Sequence, residues 1–175
     1  MIRNILLTGK PGVGKTTLIR KISGHFPGVR VGGFWTEEMR ERGRRVGFRV
    51  ESFGGASGIL AHVNFSGGPR VGKYGVDLAV FERIGVQALE AATREADVML
   101  IDEIGKMELF SDRFQRAVLD ALNSGKLLIA TVMIRPQPFA DEIKVRPDVQ
   151  VIEVTPANRD GLIGKLASCF REVWR

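Results

Sequence analysis

Residues 2–20 read IRNILLTGKPGVGKTTLIR. Gly9, Gly14, Lys15 and Thr16 fit the pattern G-x-x-x-x-G-K-(S/T). An apolar, strand-like run (Ile5, Leu6, Leu7) enters the loop, and a helix-like stretch from Thr17 to Ile22 leaves it. A strand–loop–helix setting is what a phosphate-binding loop requires. Glycines let the backbone curl so that successive N–H groups point at phosphate oxygens, and the helix N-terminus adds its positive dipole end. The expected phosphate contacts are Gly9, Lys10, Pro11, Gly12, Val13, Gly14, Lys15, Thr16 and Thr17. Lys15 reaches the β- and γ-phosphates, and the Thr16 hydroxyl ligates Mg²⁺.

Val98-Met99-Leu100-Ile101-Asp102-Glu103 supplies the complement. Four apolar residues place a carboxylate at the C-terminal end of a buried strand, where ligands bind in parallel α/β sheets. Asp102 is expected in the Mg²⁺ shell, and Glu103 is expected to orient or deprotonate the attacking water. A carboxylate beside the metal-binding Asp suits hydrolysis, whereas a kinase must exclude water and present another acceptor. The residues therefore lean toward a phosphohydrolase and leave open a nucleoside or nucleotide kinase.

Working outward, residues 31–53 read as a β-hairpin with an arginine-rich tip (Arg40, Arg42, Arg44), and 58–64 as a short strand. Residues 65–76 are Gly-rich and basic, and read as a site loop. Asp77 caps a helix whose inward positions are Leu78, Phe81, Ile84, Ala88, Leu89 and Ala92. A second helix over 109–123 turns Phe110, Phe114, Ala117, Val118, Ala121 and Leu122 inward. A proline-containing segment, 134–148, separates the strands 126–132 and 149–154. A last helix, about 158–173, points Leu162, Ile163, Leu166, Cys169, Phe170 and Val173 inward. The expected fold is α/β: a mainly parallel five-stranded core sheet (3–8, 30–36, 97–102, 126–132, 149–154) with helices on both faces and an inserted hairpin.

The 175 residues suffice for one domain, 1–175, with a sizeable core. A net charge of +6 suits anionic partners, nucleotides above all. No nucleic-acid-binding motif is present, so a nucleotide-gated nucleic-acid module rests on the basic hairpin alone. No apolar run approaches a membrane span, and no signal peptide is evident, so a cytoplasmic monomer is expected. The single cysteine, Cys169, excludes an internal disulfide framework.

Asp102-Glu103-Ile104-Gly105-Lys106-Met107-Glu108-Leu109 is more specific than either generic motif. Together with Gly33-Phe34-x-Thr36-Glu37-Glu38, Val71-Gly72-x-Tyr74 and Asn158-Arg159, it resembles the thermophile nucleoside-triphosphatase family, relatives of the vertebrate cancer-related nucleoside-triphosphatase. Trp35 stands where the family commonly has tyrosine. The resemblance implies a RecA-like P-loop NTPase fold and slow, Mg²⁺-dependent hydrolysis of the terminal phosphate of several nucleoside triphosphates. It also implies that the 126–132 strand lies between the first strand and the Asp102 strand. The base is then expected near Asn158 and Arg159, although Asn158 is chemically as good a helix cap. Lys106 is a candidate for offsetting γ-phosphate charge, and Thr131 for touching the phosphate or the water. Arg40, Arg44, Arg45 and Arg135 are candidates for a transition-state arginine.

Overall fold

The chain begins as the loop motif requires. β1 (Asn4–Thr8) enters the glycine loop and α1 (Lys15–Ser23) leaves it. β2 (Val31–Glu41) and β3 (Arg44–Ser52) form the hairpin, followed by β4 (Ser57–His62), β5 (Arg70–Val71) and β6 (Tyr74–Val76). α2 (Leu78–Phe81), a π-helical turn (Glu82–Val86) and α3 (Gln87–Glu95) make one helical run. Asp77 caps it by accepting from the Val80 N–H at 3.0 Å. β7 (Val98–Ile104), a 3-10 turn (Glu108–Phe110), α4 (Asp112–Asn123), β8 (Leu127–Val132), α5 (Pro138–Lys144), β9 (Val149–Glu153) and α6 (Arg159–Val173) complete the chain. This computed structural model describes residues 2–173, with side chains through residue 169. Phe170 and Val173, expected inward, lie outside the described side chains.

All strands join one nine-stranded sheet, β5-β6-β4-β3-β2-β7-β8-β1-β9. β2, β7, β8, β1 and β9 are parallel, with β8 between β1 and β7 as expected. The other four strands continue the sheet antiparallel from β2. The expectation of a mainly parallel five-stranded sheet with a separate hairpin insert is corrected accordingly. The reason lies in the length of β2. Its first residues, Val31–Phe34, pair with β7, while Phe34–Glu41 pair with β3. Phe34 is the changeover, opposite Ile101 on one side and Ser52 on the other.

Alternation along the central strands sends side chains to two cores. Leu6, Met99, Ile101, Leu128 and Ala130 pack on the face of α3, α4 and α5. Ile5, Leu7, Leu100 and Ile129 pack on the face of α1 and α6. Phe34, Phe81 and Phe114 meet edge to face, with centroids 5.1–5.8 Å apart.

Three further expectations change. Phe110 is 40 % exposed, because the 3-10 turn takes it out of the register of α4. Of the expected site loop 65–76, residues 70–76 form instead the edge hairpin β5–β6. The proline segment contains α5, with Pro138 in its first turn and the Gln137 side chain accepting from the Ala140 N–H at 2.7 Å. Among the described residues no helix is long and apolar enough to cross a membrane.

Gly33 has φ +112°, and a Cβ there would lie 2.0 Å from the Leu100 carbonyl oxygen. Gly33→Ala is therefore expected to lower unfolding free energy by about 3 kcal/mol or more, read from a denaturant midpoint. Nearby, Asp97 accepts from the Arg30 N–H, Nε and Nη2 at 2.9, 3.2 and 3.0 Å, tying the start of β2 to that of β7. The Arg30 side chain first, then its N–H, holds the Asp97 carboxyl below its ordinary value. A depressed carboxyl stabilises the fold above its unfolded pKa, and the contribution is lost as pH falls through the lower folded value. Asp97→Asn should lower the denaturation midpoint slightly at pH 7, since Arg30 is 72 % exposed and screened by solvent. The difference from wild type should close under acid conditions that protonate the folded carboxyl.

Candidate active site

Asp102 sits where β7 leaves β8: their regular pairing ends at Ile101 and resumes at Ile104 opposite Val132. The carboxylate is 1 % exposed and is met by donors from three segments. Thr16 Oγ1, in the first turn of α1, donates to Oδ2 at 2.7 Å. Thr131 Oγ1, on β8, donates to Oδ1 at 2.6 Å. The Thr36 N–H, on the part of β2 that has parted from β7, also donates to it. Burial pushes the Asp102 carboxyl up, while these three donors and the Lys15 charge pull it back.

Lys15 Nζ donates to the Gly9 and Lys10 carbonyls at 2.8 and 3.2 Å, so the loop fixes its own lysine. Gly9 and Gly14 have φ +150° and +104°, and a Cβ on Gly9 would lie 2.7 Å from the Val154 carbonyl oxygen. The curled backbone that aims N–H groups inward thus requires glycine at both ends of the loop. Val13 differs from the rest of the loop, because its side chain is buried in the α1 core.

Glu103 faces the cleft beside Lys15 and Thr16. Burial first, then the Asp102 charge, raises its carboxyl, and Lys15 opposes this. A third acid, Glu108, is 6 % exposed in the 3-10 turn. Burial and the Glu103 charge push its carboxyl well above the ordinary range, although its own N–H and that of Gly105 bond to it. Glu103 and Glu108 converge over Gly105, where a Cβ would stand 2.8 Å from Glu103 Oε1 and 3.0 Å from Glu108 Oε2. The glycine of DEIG leaves room for both carboxyl groups. Sequence reading assigned Glu108 no role beyond its place in the Asp102–Leu109 stretch.

These groups open on a cleft of about 760 Å³ between the loop and the β2–β3 hairpin. Pro11, Gly12, Gly14, Lys15, Thr16 and Thr17 form one wall, and Thr36, Glu37, Glu38, Arg45 and Phe48 the other. Lys106 does not join them, being an exposed residue of the turn beyond Glu103. Arg44 and Arg135 are likewise exposed and outside the lining.

On the loop's other side, Arg159 Nη1 donates to the Val13 carbonyl at 3.3 Å. With Gly14, Thr17 and Lys21 it borders a second hollow of about 280 Å³ between α1 and α6. Asn158 is spent locally. Its Oδ1 accepts from the Thr155 N–H at 2.8 Å, its Nδ2 donates to the Glu153 carbonyl at 2.8 Å, and its N–H donates to Thr155 Oγ1 at 3.3 Å. Thr155-Pro156-Ala157-Asn158 is a capping box with proline in its first turn, a signal present in the sequence but not read there.

The NTPase family profile matches residues 4–167. The chain belongs to the NTPase family. It is 46 % identical over 167 residues to the nucleoside-triphosphatase THEP1 of Thermotoga sp. (strain RQ2), covering 95 % of each chain. It is 42 % identical to the human cancer-related nucleoside-triphosphatase over 186 residues, covering 98 % of each. The crystal structure of THEP1 from the hyperthermophile Aquifex aeolicus superposes with a TM-score of 0.86 at 39 % identity, over 95 % of this chain and 98 % of that one. The solution structure of the human protein gives 0.82 at 42 %, over 97 % and 98 %. This family member is thus an enzyme of the nucleoside-triphosphatase class, with the mixed α/β sheet of its relatives.

Thr131→Val removes one donor from a buried carboxylate while keeping the side chain's shape. It should cost about 1–3 kcal/mol in urea denaturation of the nucleotide-free protein. Thr131→Ser should recover most of the loss. Equal midpoints for Val and wild type would refute a structural role for this hydrogen bond.

Proposed function

We propose that the chain is a RecA-like P-loop enzyme that hydrolyses nucleoside triphosphates to nucleoside diphosphate and phosphate, with Mg²⁺ as cofactor and broad base preference. The observation that carries this reading is Glu103. It faces the same cleft as Lys15 and Thr16, next to an Asp102 that is already hydrogen-bonded to Thr16. Thr16 and Asp102 would hold the ion, and they offer only oxygen ligands, the set a hard divalent cation takes. When bound, Mg²⁺ would supply positive charge that offsets the negative charge of the phosphates.

The remaining chemistry belongs to the chain. The loop N–H groups and Lys15 hold the phosphates, the lysine exchanging its carbonyl partners for more strongly accepting phosphate oxygens. Glu103 accepts a proton from water as the water oxygen attacks the γ-phosphorus. The bond to the β,γ-bridging oxygen breaks, and the nucleoside diphosphate leaves with the electron pair. A carboxylate raised by burial is a stronger base than one in water, so the crowding of acids around Gly105 favours this step. Arg159 serves the nucleotide from the other side of the loop, and Asn158 acts by holding the turn that presents it.

Glu103→Gln keeps size and removes the base. Nucleotide binding, followed by titration with a non-hydrolysable triphosphate, should persist. Phosphate release should fall by about 10²- to 10⁴-fold. Unchanged turnover would disprove the water-activating role. Transfer of labelled γ-phosphate to a supplied nucleoside, in place of free phosphate, would replace hydrolysis with a kinase reaction.

A further inference from the structure

The loop and Lys15 grip a triphosphate from one side only, whereas the transition state spreads charge over three equatorial oxygens of the γ-phosphoryl group. We propose that Arg45 meets that charge from the opposite wall, as an arginine supplied by the chain itself and held ready by Tyr74 and Glu38. This inference rests on the hydrolytic reading above and names the basic group that reading lacks.

Two arginines line the cleft, Arg20 and Arg45. Arg20 stands on α1, four residues past Thr16. At about 1.5 Å per residue the helix carries it roughly 6 Å from the phosphate end. Its guanidinium is bonded to Glu37 and lies over the Trp35 ring, 5.5 Å from the centroid. Arg20 therefore braces α1 against β2.

Arg45 differs in place and in preparation. It stands on β3, across the cleft from the loop. Its Nε donates to the Tyr74 hydroxyl at 2.9 Å, and its Nη1 donates to Glu38 Oε1 at 2.8 Å. The Phe48 and Tyr74 rings lie against the guanidinium, with centroids 5.2 and 5.6 Å from its central carbon. Among the described residues Nη2 has no hydrogen-bond partner. A surface arginine normally samples many rotamers, and ordering one costs entropy. Here a half-exposed arginine is fixed through Nε and Nη1 and on its faces, while Nη2 is left for an incoming oxyanion. Fixing a donor before the charge develops is how electrostatic stabilisation lowers a barrier.

Charge balance supports the assignment. Glu38 is shared between Arg40 and Arg45, so the trio keeps a net positive charge. Glu38 Oε2 occupies Arg40, which also donates to the Gly43 carbonyl in the hairpin turn. Arg40 thereby stays with the turn while Arg45 remains in the cleft. Tyr74 belongs to the edge hairpin β5–β6, whose Tyr74 and Val76 are packed in the core, so the hydroxyl that holds Arg45 is itself on a fixed ring.

The test compares Arg45→Ala, Arg45→Lys and Tyr74→Phe with Arg44→Ala at the exposed tip, each checked for folding by thermal melting. Arg45→Ala should lower kcat about 10³-fold. Its Kd for a non-hydrolysable triphosphate should stay within about threefold of wild type, since the contact forms fully only in the transition state. It should also fail to trap ADP with aluminium fluoride, a mimic of the transferring phosphoryl group. Lysine keeps the charge but not the fork, so Arg45→Lys should remain at least tenfold slow. If the alanine variant does not fold, the lysine variant decides. Tyr74→Phe should lower kcat with unchanged triphosphate affinity, which a purely structural role would not do. Arg44→Ala should match wild type. If Arg45→Ala or Arg45→Lys turns over at the wild-type rate while Glu103→Gln is inactive, this proposal is overturned and hydrolysis stands. If wild type releases no phosphate, both fall.

Discussion

A carboxylate that is 1 % exposed must have its lone pairs met by donors, and Asp102 draws those donors from segments far apart in the chain. Thr16 brings the start of α1, Thr131 brings β8, and the Thr36 N–H brings the outer part of β2. If one of them slips by a residue, a buried acceptor goes unmatched at a cost of about 1–3 kcal/mol. The interaction is thus favourable only when complete. It fixes the phosphate loop against the strand ends more tightly than apolar packing alone would do. Catalysis and folding share these residues, since Thr16 and Asp102 are also the ones that would hold a cation in the proposed mechanism.

Around this carboxylate the chain accumulates a second and a third acid. Each raises the next: the Asp102 charge is the second cause of the Glu103 shift, and the Glu103 charge is the second cause of the Glu108 shift. Gly105 is the residue that permits the crowding, because a side chain there would displace one carboxyl or the other. The cost is offset locally by Lys15 and by backbone N–H donors rather than by a buried ion pair. A buried pair would quench the basicity on which the proposed water activation by Glu103 relies. The acid-rich turn is therefore a tuned environment, and the glycine within DEIGKMEL is as much a part of it as the acids.

Much of this was legible in the sequence, for identifiable reasons. GKPGVGKT and the Asp102-Glu103 pair each combine a local pattern with a physical demand, and the structure brings them together, Glu103 in the same cleft as the loop and Asp102 buried and hydrogen-bonded to Thr16. The parallel strands were legible because apolar runs such as Val98–Ile101 and Leu127–Val132 have no other stable place. The antiparallel continuation was not, because whether a long strand such as β2 changes partners at Phe34 depends on where β7 turns away, not on β2 itself. Phe110 was misplaced because a helical period was extended through a turn that Ser111 ends, its hydroxyl accepting from the Phe114 N–H. In sequence Asn158 suits a base contact and a helix cap equally, and the Thr155 partner that decides its contacts lies only three residues earlier. Tertiary contacts such as Arg45 with Tyr74, 29 positions apart, carry no local signature at all.

The excess length of β2 accounts for what separates this site from a bare phosphate cradle. A glycine loop binds phosphate in many unrelated proteins and leaves the outer oxygens in water. Here β2 outruns its pairing with β7, and the freed part does two things at once. Its inner edge spends the Thr36 N–H on Asp102, and its side chains Glu37 and Glu38 hold one arginine each at the cleft, Arg20 and Arg45. The same segment seeds β3, β4, β6 and β5, so its position is backed by four strands and not by a mobile loop. A wall built this way does not need to close over the substrate to be in place. The cost of organising the second side of the site is met during folding, which leaves the ordering of the nucleotide and of the groups that react with it as the remaining demand of each turnover.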